Sequence, residues 1–94
     1  MYAVIRRYEG VADAAEAGRR VHEGFVPLIR QVRGFVAYHF VDAGDGVMVS
    51  TGVFQDRAGA EESTERAADF VRDRLAELLP QPPQVTAGEV VAHS

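Results

Sequence analysis

Cysteine, lysine and tryptophan are all missing from the 94-residue chain. Without thiols there is no disulfide, no thiolate nucleophile and no cysteine-ligated zinc. Without lysine, every positive side chain is an arginine. Basic residues pair only at Arg6-Arg7 and Arg19-Arg20, within a net charge of −4, which argues against a nucleic-acid footprint. No apolar run approaches the ~18 residues of a membrane span. The opening segment MYAVIRRYEG places its charge after a short apolar part, the reverse of a secretory signal. The expectation is an intracellular, cytoplasmic protein. Chemical motifs are scarce too: there is no glycine-rich phosphate loop, no Ser-His-Asp order and no paired-carboxylate motif. The histidines (His22, His39, His93) lie far apart, without the His-x-x-x-His or His-Glu-x-x-His spacing that zinc favours. No metal and no cofactor are therefore expected.

What is present fits a single domain over residues 1–94. Hydrophobic residues make up 47% and charged residues 26% of the chain, which is globular composition. At this size folding hides only about 60–65% of the unfolded surface, so the core is thin and association would help it.

Residues 2–8, YAVIRRY, are β-branched and aromatic enough for a strand. From Val11 to Val32 apolar residues recur at helical steps, through Val21, His22, Phe25, Leu28 and Ile29. Gly24 and Pro27 interrupt the pattern and predict a kink or break near residues 23–27. Gly34 is placed as a helix-terminating glycine. FVAYHFVD and VMVSTGVFQ then flank AGDG, a hairpin turn. Setting Ala43 opposite Val47 puts His39 opposite Thr51 and Tyr38 opposite Gly52. One face then carries Phe35, Ala37, His39, Val41, Val47, Val49, Thr51 and Val53. The other carries Val36, Tyr38, Phe40, Met48, Ser50, Gly52 and Phe54. Both are largely apolar, whereas an ordinary antiparallel sheet keeps one wet face. With two helices available to cover one face, a second subunit is the simplest cover for the other. Asp56 is a fitting N-cap for a helix over residues 57–79, PQPP stops it, and residues 84–92 read as a last strand.

The order βαββαβ, the stretch LIRQVRGFVAYHFV (28–41) and the continuation DGVMVSTGVFQDRAGAEES (45–63) resemble the antibiotic biosynthesis monooxygenase (ABM) group of the dimeric α+β barrel superfamily. Arg33 stands where that group usually has proline. The resemblance implies a ferredoxin-like α+β fold with a four-stranded antiparallel sheet, two helices on one face, and a homodimer through the other. It also implies a pocket between sheet and helices for an apolar, aromatic or polyketide-type molecule, and, in some members, oxygenation by O₂ without metal or flavin. Haem-degrading relatives usually carry a tryptophan near the site, which this chain lacks.

Three residues are candidate catalytic groups. His39 reads either as a neutral imidazole accepting a phenolic proton, or as a strand histidine bonded to Thr51 or set in an interface. His22, on the apolar helix face beside the expected kink, reads as a pocket histidine or a core-boundary residue. Tyr38 would orient substrate, or simply pack the sheet. Tyr8 and Tyr2 have the same capacity. Arg6 and Arg7 point to opposite faces, and the covered one needs an acidic partner or an anionic ligand. Glu89 is the expected partner. Ser50, Thr51 and Gly52 leave room beside Tyr38 and Phe40. The alternative to an enzyme is a non-catalytic binding or dimerisation module, which a filled core would favour.

Overall fold

The computed structural model describes residues 1–94. β-Branched and aromatic residues make β1 (Tyr2–Tyr8), and the apolar hairpin makes β2 (Phe35–Gly44) and β3 (Val47–Phe54). The last strand, β4, is shorter than the sequence pattern suggests, Gln84–Glu89. All pairings are antiparallel, in the order β2-β3-β1-β4. The result is a ferredoxin-like α+β fold with its helices on one face of the sheet.

The hairpin register is the expected one through its centre: His39 faces Thr51 and Tyr38 faces Gly52. Both ends depart from it. At the turn Gly44, not Ala43, faces Val47, and Gly44, Asp45 and Gly46 all have positive φ. A second irregularity between Phe35 and Ala37 moves Phe35 to the helix side, where its ring lies 6.1 Å from that of Phe54. Val36 is turned out to solvent instead. A bulge inserts one residue and so reverses the faces beyond it.

The first helical segment starts at Asp13, whose carboxylate accepts from the Glu16 amide. It runs as α1 (Ala14–Arg20), a π turn (Val21–Phe25) and α2 (Val26–Ile29). The kink expected from Gly24 and Pro27 is thus a widened turn within a continuous helical path. Pro27 follows directly on the π turn; it has no N–H to return to the preceding turn, and the irregular backbone there accommodates it. Gly34 does not cap this helix. It follows a turn after Ile29, with φ +83°, and its carbonyl accepts from the Gln55 amide. Asp56 caps α3 (Arg57–Phe70) as expected, accepting from the Gly59 amide. A second π turn, Val71–Leu75, extends it.

The core lies between helices and sheet, built from Val4, Ile29, Met48, Phe54, Leu75 and their neighbours. α3 comes close to the β2–β3 layer at Gly59. A Cβ there would meet the Arg33 carbonyl at 2.8 Å and Phe54 Cβ at 3.3 Å. Gly18, in α1, has open space around it. The two helical segments are also tied by charge: Arg20 bridges Glu16 at 2.8 Å and Glu77 at 2.7 Å.

Two outcomes follow. Gly18→Ala gains about 0.5–1 kcal/mol in denaturant unfolding, the ordinary helical preference for alanine. Gly59→Ala loses about 1–3 kcal/mol, because steric overlap reverses that preference; equal gains at both positions would refute the close approach. Glu16 accepts from Arg19 and Arg20, which lower its pKa from 4.5 to about 2. The lowered value means a stabilising contribution present above about 4.5 and lost as pH falls towards about 2. Glu16→Gln should flatten the acid limb of a Tm-versus-pH curve in that window, and added salt should shrink the difference.

Candidate functional site

Alternation along the strands sends Val4, Arg6 and Tyr8 of β1, Tyr38 and Phe40 of β2, and Met48, Ser50 and Phe54 of β3 beneath the helices. Among them a cavity of about 20 Å³ remains, room for about one water. Arg6, Tyr8, Tyr38 and Ser50 are among its lining residues, but the surface it presents is almost wholly apolar. Val21 and Phe25 of the first π turn and Val71 and Leu75 of the second close it from above. Both π turns of the protein therefore sit over the same space. Such turns widen the helix, and they recur at functional sites.

Arg6 is 3% exposed and has no carboxylate within ion-pair distance. Its one side-chain hydrogen bond goes to Thr64 Oγ1, at 2.8 Å. The expected Arg6–Glu89 pair does not form: the register places Glu89 beside Tyr2, whereas Val85 is the neighbour of Arg6. Burial lowers the Arg6 pKa, though a guanidinium keeps its charge in any such setting. Burial also raises the pKa of Tyr8, with Arg6 opposing. Tyr38 is raised further, chiefly by burial and next by Tyr8, with Arg6 and Ser50 opposing. Both phenols are neutral hydrogen-bond donors at physiological pH. Ser50 Oγ is buried without a partner; it stands near enough to Tyr38 to offset part of the rise in its pKa, but not in hydrogen-bond geometry.

Aromatic rings form the roof. Tyr38 packs edge-on against Phe25 at 5.4 Å, and Phe25 lies 5.5 Å from Phe70. The Arg74 guanidinium covers the outer face of Phe70 at 5.7 Å. Gly24 gives Phe70 its place, since a Cβ there would come within 2.8 Å of the ring.

The three candidate catalytic residues, His22, His39 and Tyr38, all border one groove, and Tyr38 alone of them also reaches the cavity. His22 and His39 are both exposed and border a groove of about 370 Å³ along the free edge of β2. His39 alternates with Tyr38 and Phe40 and so belongs to the outer face of the sheet, without a hydrogen bond to Thr51. Val21, Tyr38 and Phe40 border both groove and cavity, and so form the wall between them. Tyr8 lines the cavity, whereas Tyr2 lies in a separate cleft beside α3. The role of Thr64 had no sequence signal; Arg6 had one, the Arg6-Arg7 pair, but its surroundings were not readable. No cluster of potential metal ligands occurs, and no helix is long and apolar enough to cross a membrane.

No protein-family model matches the sequence, and no curated protein is similar to it. Solved structures are similar in fold. NE2512 of Nitrosomonas europaea, a protein of unknown function, superposes with a TM-score of 0.78 at 23% identity, over 99% of this chain and 91% of the other. An antibiotic biosynthesis monooxygenase gives 0.72 at 23%, over 98% and 100%. The ActVA-Orf6 monooxygenase of Streptomyces coelicolor, in complex with Nanaomycin D, gives 0.72 at 17%, over 98% and 92%. The chain has the ABM-like fold.

A prediction tests the roof. Gly24→Ala pushes on Phe70 and should shift the near-ultraviolet circular dichroism of the aromatic column while leaving the far-ultraviolet helix signal in place. An unchanged near-ultraviolet spectrum would show that the rings do not depend on the glycine.

Proposed function

We propose that the protein is an ABM-like, cofactor-independent monooxygenase for an apolar hydroxylated aromatic of polyketide type. The observation that carries this reading is the apolar cavity beneath the two π turns, with Tyr8 and Tyr38 among its lining residues, beside a groove bordered by His22 and His39. A base removes the phenolic proton, and the electron-rich phenolate reacts with O₂ at a ring carbon. One oxygen atom stays as a quinone carbonyl and the other leaves as water. The substrate supplies all four electrons, so the balance needs no external reductant. The protein supplies shape, exclusion of water and proton transfer. His22, on the helical side of the groove, is placed best to act as base. His39 is the alternative base at the strand edge, and Tyr38 orients the ring from the wall.

The same reading includes a homodimer through the outer sheet face. Ala37, Val41, Val49, Thr51 and Val53 share that face with His39, and Val41 is 48% exposed. A standard interface covers about 800 Å² per partner, the scale of one such face. The second reading, a non-catalytic binding or dimerisation module, is favoured by one observation, the small volume of the cavity.

With 1,5-dihydroxynaphthalene, wild-type protein should consume one O₂ per hydroxynaphthoquinone formed. His22→Ala should cost about a hundredfold or more in kcat, and Tyr38→Phe should raise KM. Full turnover in a His22→Ala/His39→Ala double variant would remove both histidines from the chemistry. No oxygen uptake with any hydroxylated aromatic favours the module instead. Sedimentation should give a dimer at micromolar concentration and a monomer for Val41→Glu/Val49→Glu; a wild-type monomer would sink the dimer.

A further inference from the structure

We propose that the apolar cavity beneath the two π turns is the binding place of dioxygen, held apart from an aromatic ring that lies in the groove beside β2. The inference deepens the function proposed above. Its role in the reaction rests on that reading; the binding itself does not.

The cavity suits neither of its more obvious occupants. Its surface is almost wholly apolar, whereas a buried water needs about two to four polar partners. Ser50 Oγ is the one buried side-chain atom left without a partner, and the Arg6 guanidinium hydrogen-bonds to Thr64 on α3. Water there would lose most of its hydrogen bonds. An aromatic ring is excluded by size, since the open space is about 20 Å³, room for about one water-sized molecule. What fits is a small apolar molecule, and apolar voids are the ones that stay dry and take up gases. Dioxygen is apolar and diatomic, so it gains by leaving water. Withdrawing two small apolar atoms from water corresponds to an enrichment of about tenfold.

A void forfeits packing contacts, and this one is bordered by the small residues Ser50 and Ala67, where a larger side chain would close it. Both helices instead widen above it, at Val21–Phe25 and Val71–Leu75. The groove alongside measures about 370 Å³ and is bordered by His22 and His39; that size is usual for small-molecule sites. Val21, Tyr38 and Phe40 border both spaces, so a ring in the groove and dioxygen in the cavity are one layer of side chains apart. Rotation of the half-buried Tyr38 and Phe40 rings passes a diatomic molecule and retains the larger one. The phenolate then gives one electron to dioxygen. The resulting superoxide and phenoxyl radical combine to form the carbon–oxygen bond. The peroxide regains the proton that the base removed, and its O–O bond breaks as water leaves and the ring carbon becomes a carbonyl.

Dioxygen is paramagnetic and speeds the relaxation of protons near it, so it reports its own position. Under O₂ rather than N₂, methyl protons of the buried Leu75 and Leu79, which line the cavity, should gain more relaxation than those of Val41, which is exposed and borders only the groove. Access from solvent alone gives the opposite order. Ala67→Leu and Ser50→Val fill the space and should remove the excess at Leu75 and Leu79. Ser50→Val also replaces an unpartnered hydroxyl and should melt at or above the wild-type temperature. With saturating 1,5-dihydroxynaphthalene, either variant should lower kcat/KM for O₂ about tenfold and leave KM for the aromatic unchanged. Relaxation that follows exposure, with Val41 ahead of Leu75, overturns the proposal. So does an excess that survives both substitutions. Loss of the excess with kcat/KM for O₂ intact overturns the cavity's part in the reaction. A selective excess, lost on filling, in a protein that turns over no aromatic would leave the dioxygen site standing and defeat only the oxygenase reading.

Discussion

A guanidinium held under two helices, with one neutral hydrogen-bond partner, is the constraint around which this small interior is organised. Arg6 sits on β1, an inner strand of the sheet, and is 3% exposed. Its neighbours answer in the only ways left to them. Thr64 donates its hydroxyl to the Ala60 carbonyl of its own helix and accepts from Arg6 with the same oxygen. Tyr8 and Tyr38 bring phenol groups into the same space, and each is made less acidic by the burial that brings it there. An apolar core of the same volume would be simpler to build and at least as stable.

The helices show the same accommodation. Each leaves regular α geometry where it passes above the cavity, at Val21–Phe25 and at Val71–Leu75. A π turn is one residue too many for its length, and the widened loop of backbone sets side chains further apart. Elsewhere the helices come down tightly, most closely where Gly59 meets the Arg33 carbonyl. Close packing at one end and widened turns at the other put the open space where the polar side chains are.

Much of this architecture was legible in the residues. The Asp-Gly turn between two apolar runs set the hairpin, and with it the pairing of His39 and Tyr38 with Thr51 and Gly52. Asp56 announced α3. Other features depend on information a single sequence does not carry locally. The irregularity at Phe35–Ala37 has no composition of its own, so alternation put Phe35 and Val36 on each other's faces. The π turns left the spacing of Val21, Phe25 and Ile29 intact, so periodicity showed an interruption without its form. The Arg6 site was missed for a geometric reason. Adjacent arginines dictate that one points inward, but its partner depends on the β1–β4 register. The observed register sets Glu89 four residues along from Arg6, about 13 Å at the usual rise. For the histidines, the sequence placed both on apolar faces, while the fold opens them onto a groove at the edge of β2.

The column of rings from Tyr38 through Phe25 to Phe70, ending at Arg74, has a kinetic consequence. These side chains touch in series, and a close-packed row cannot yield at one point alone. A turn of the Tyr38 ring therefore requires its neighbours to turn with it, so such motion is slower than that of a lone side chain. Arg74, at the outer end, is where a rearrangement at Tyr38 would be felt at the surface, some distance from the event itself.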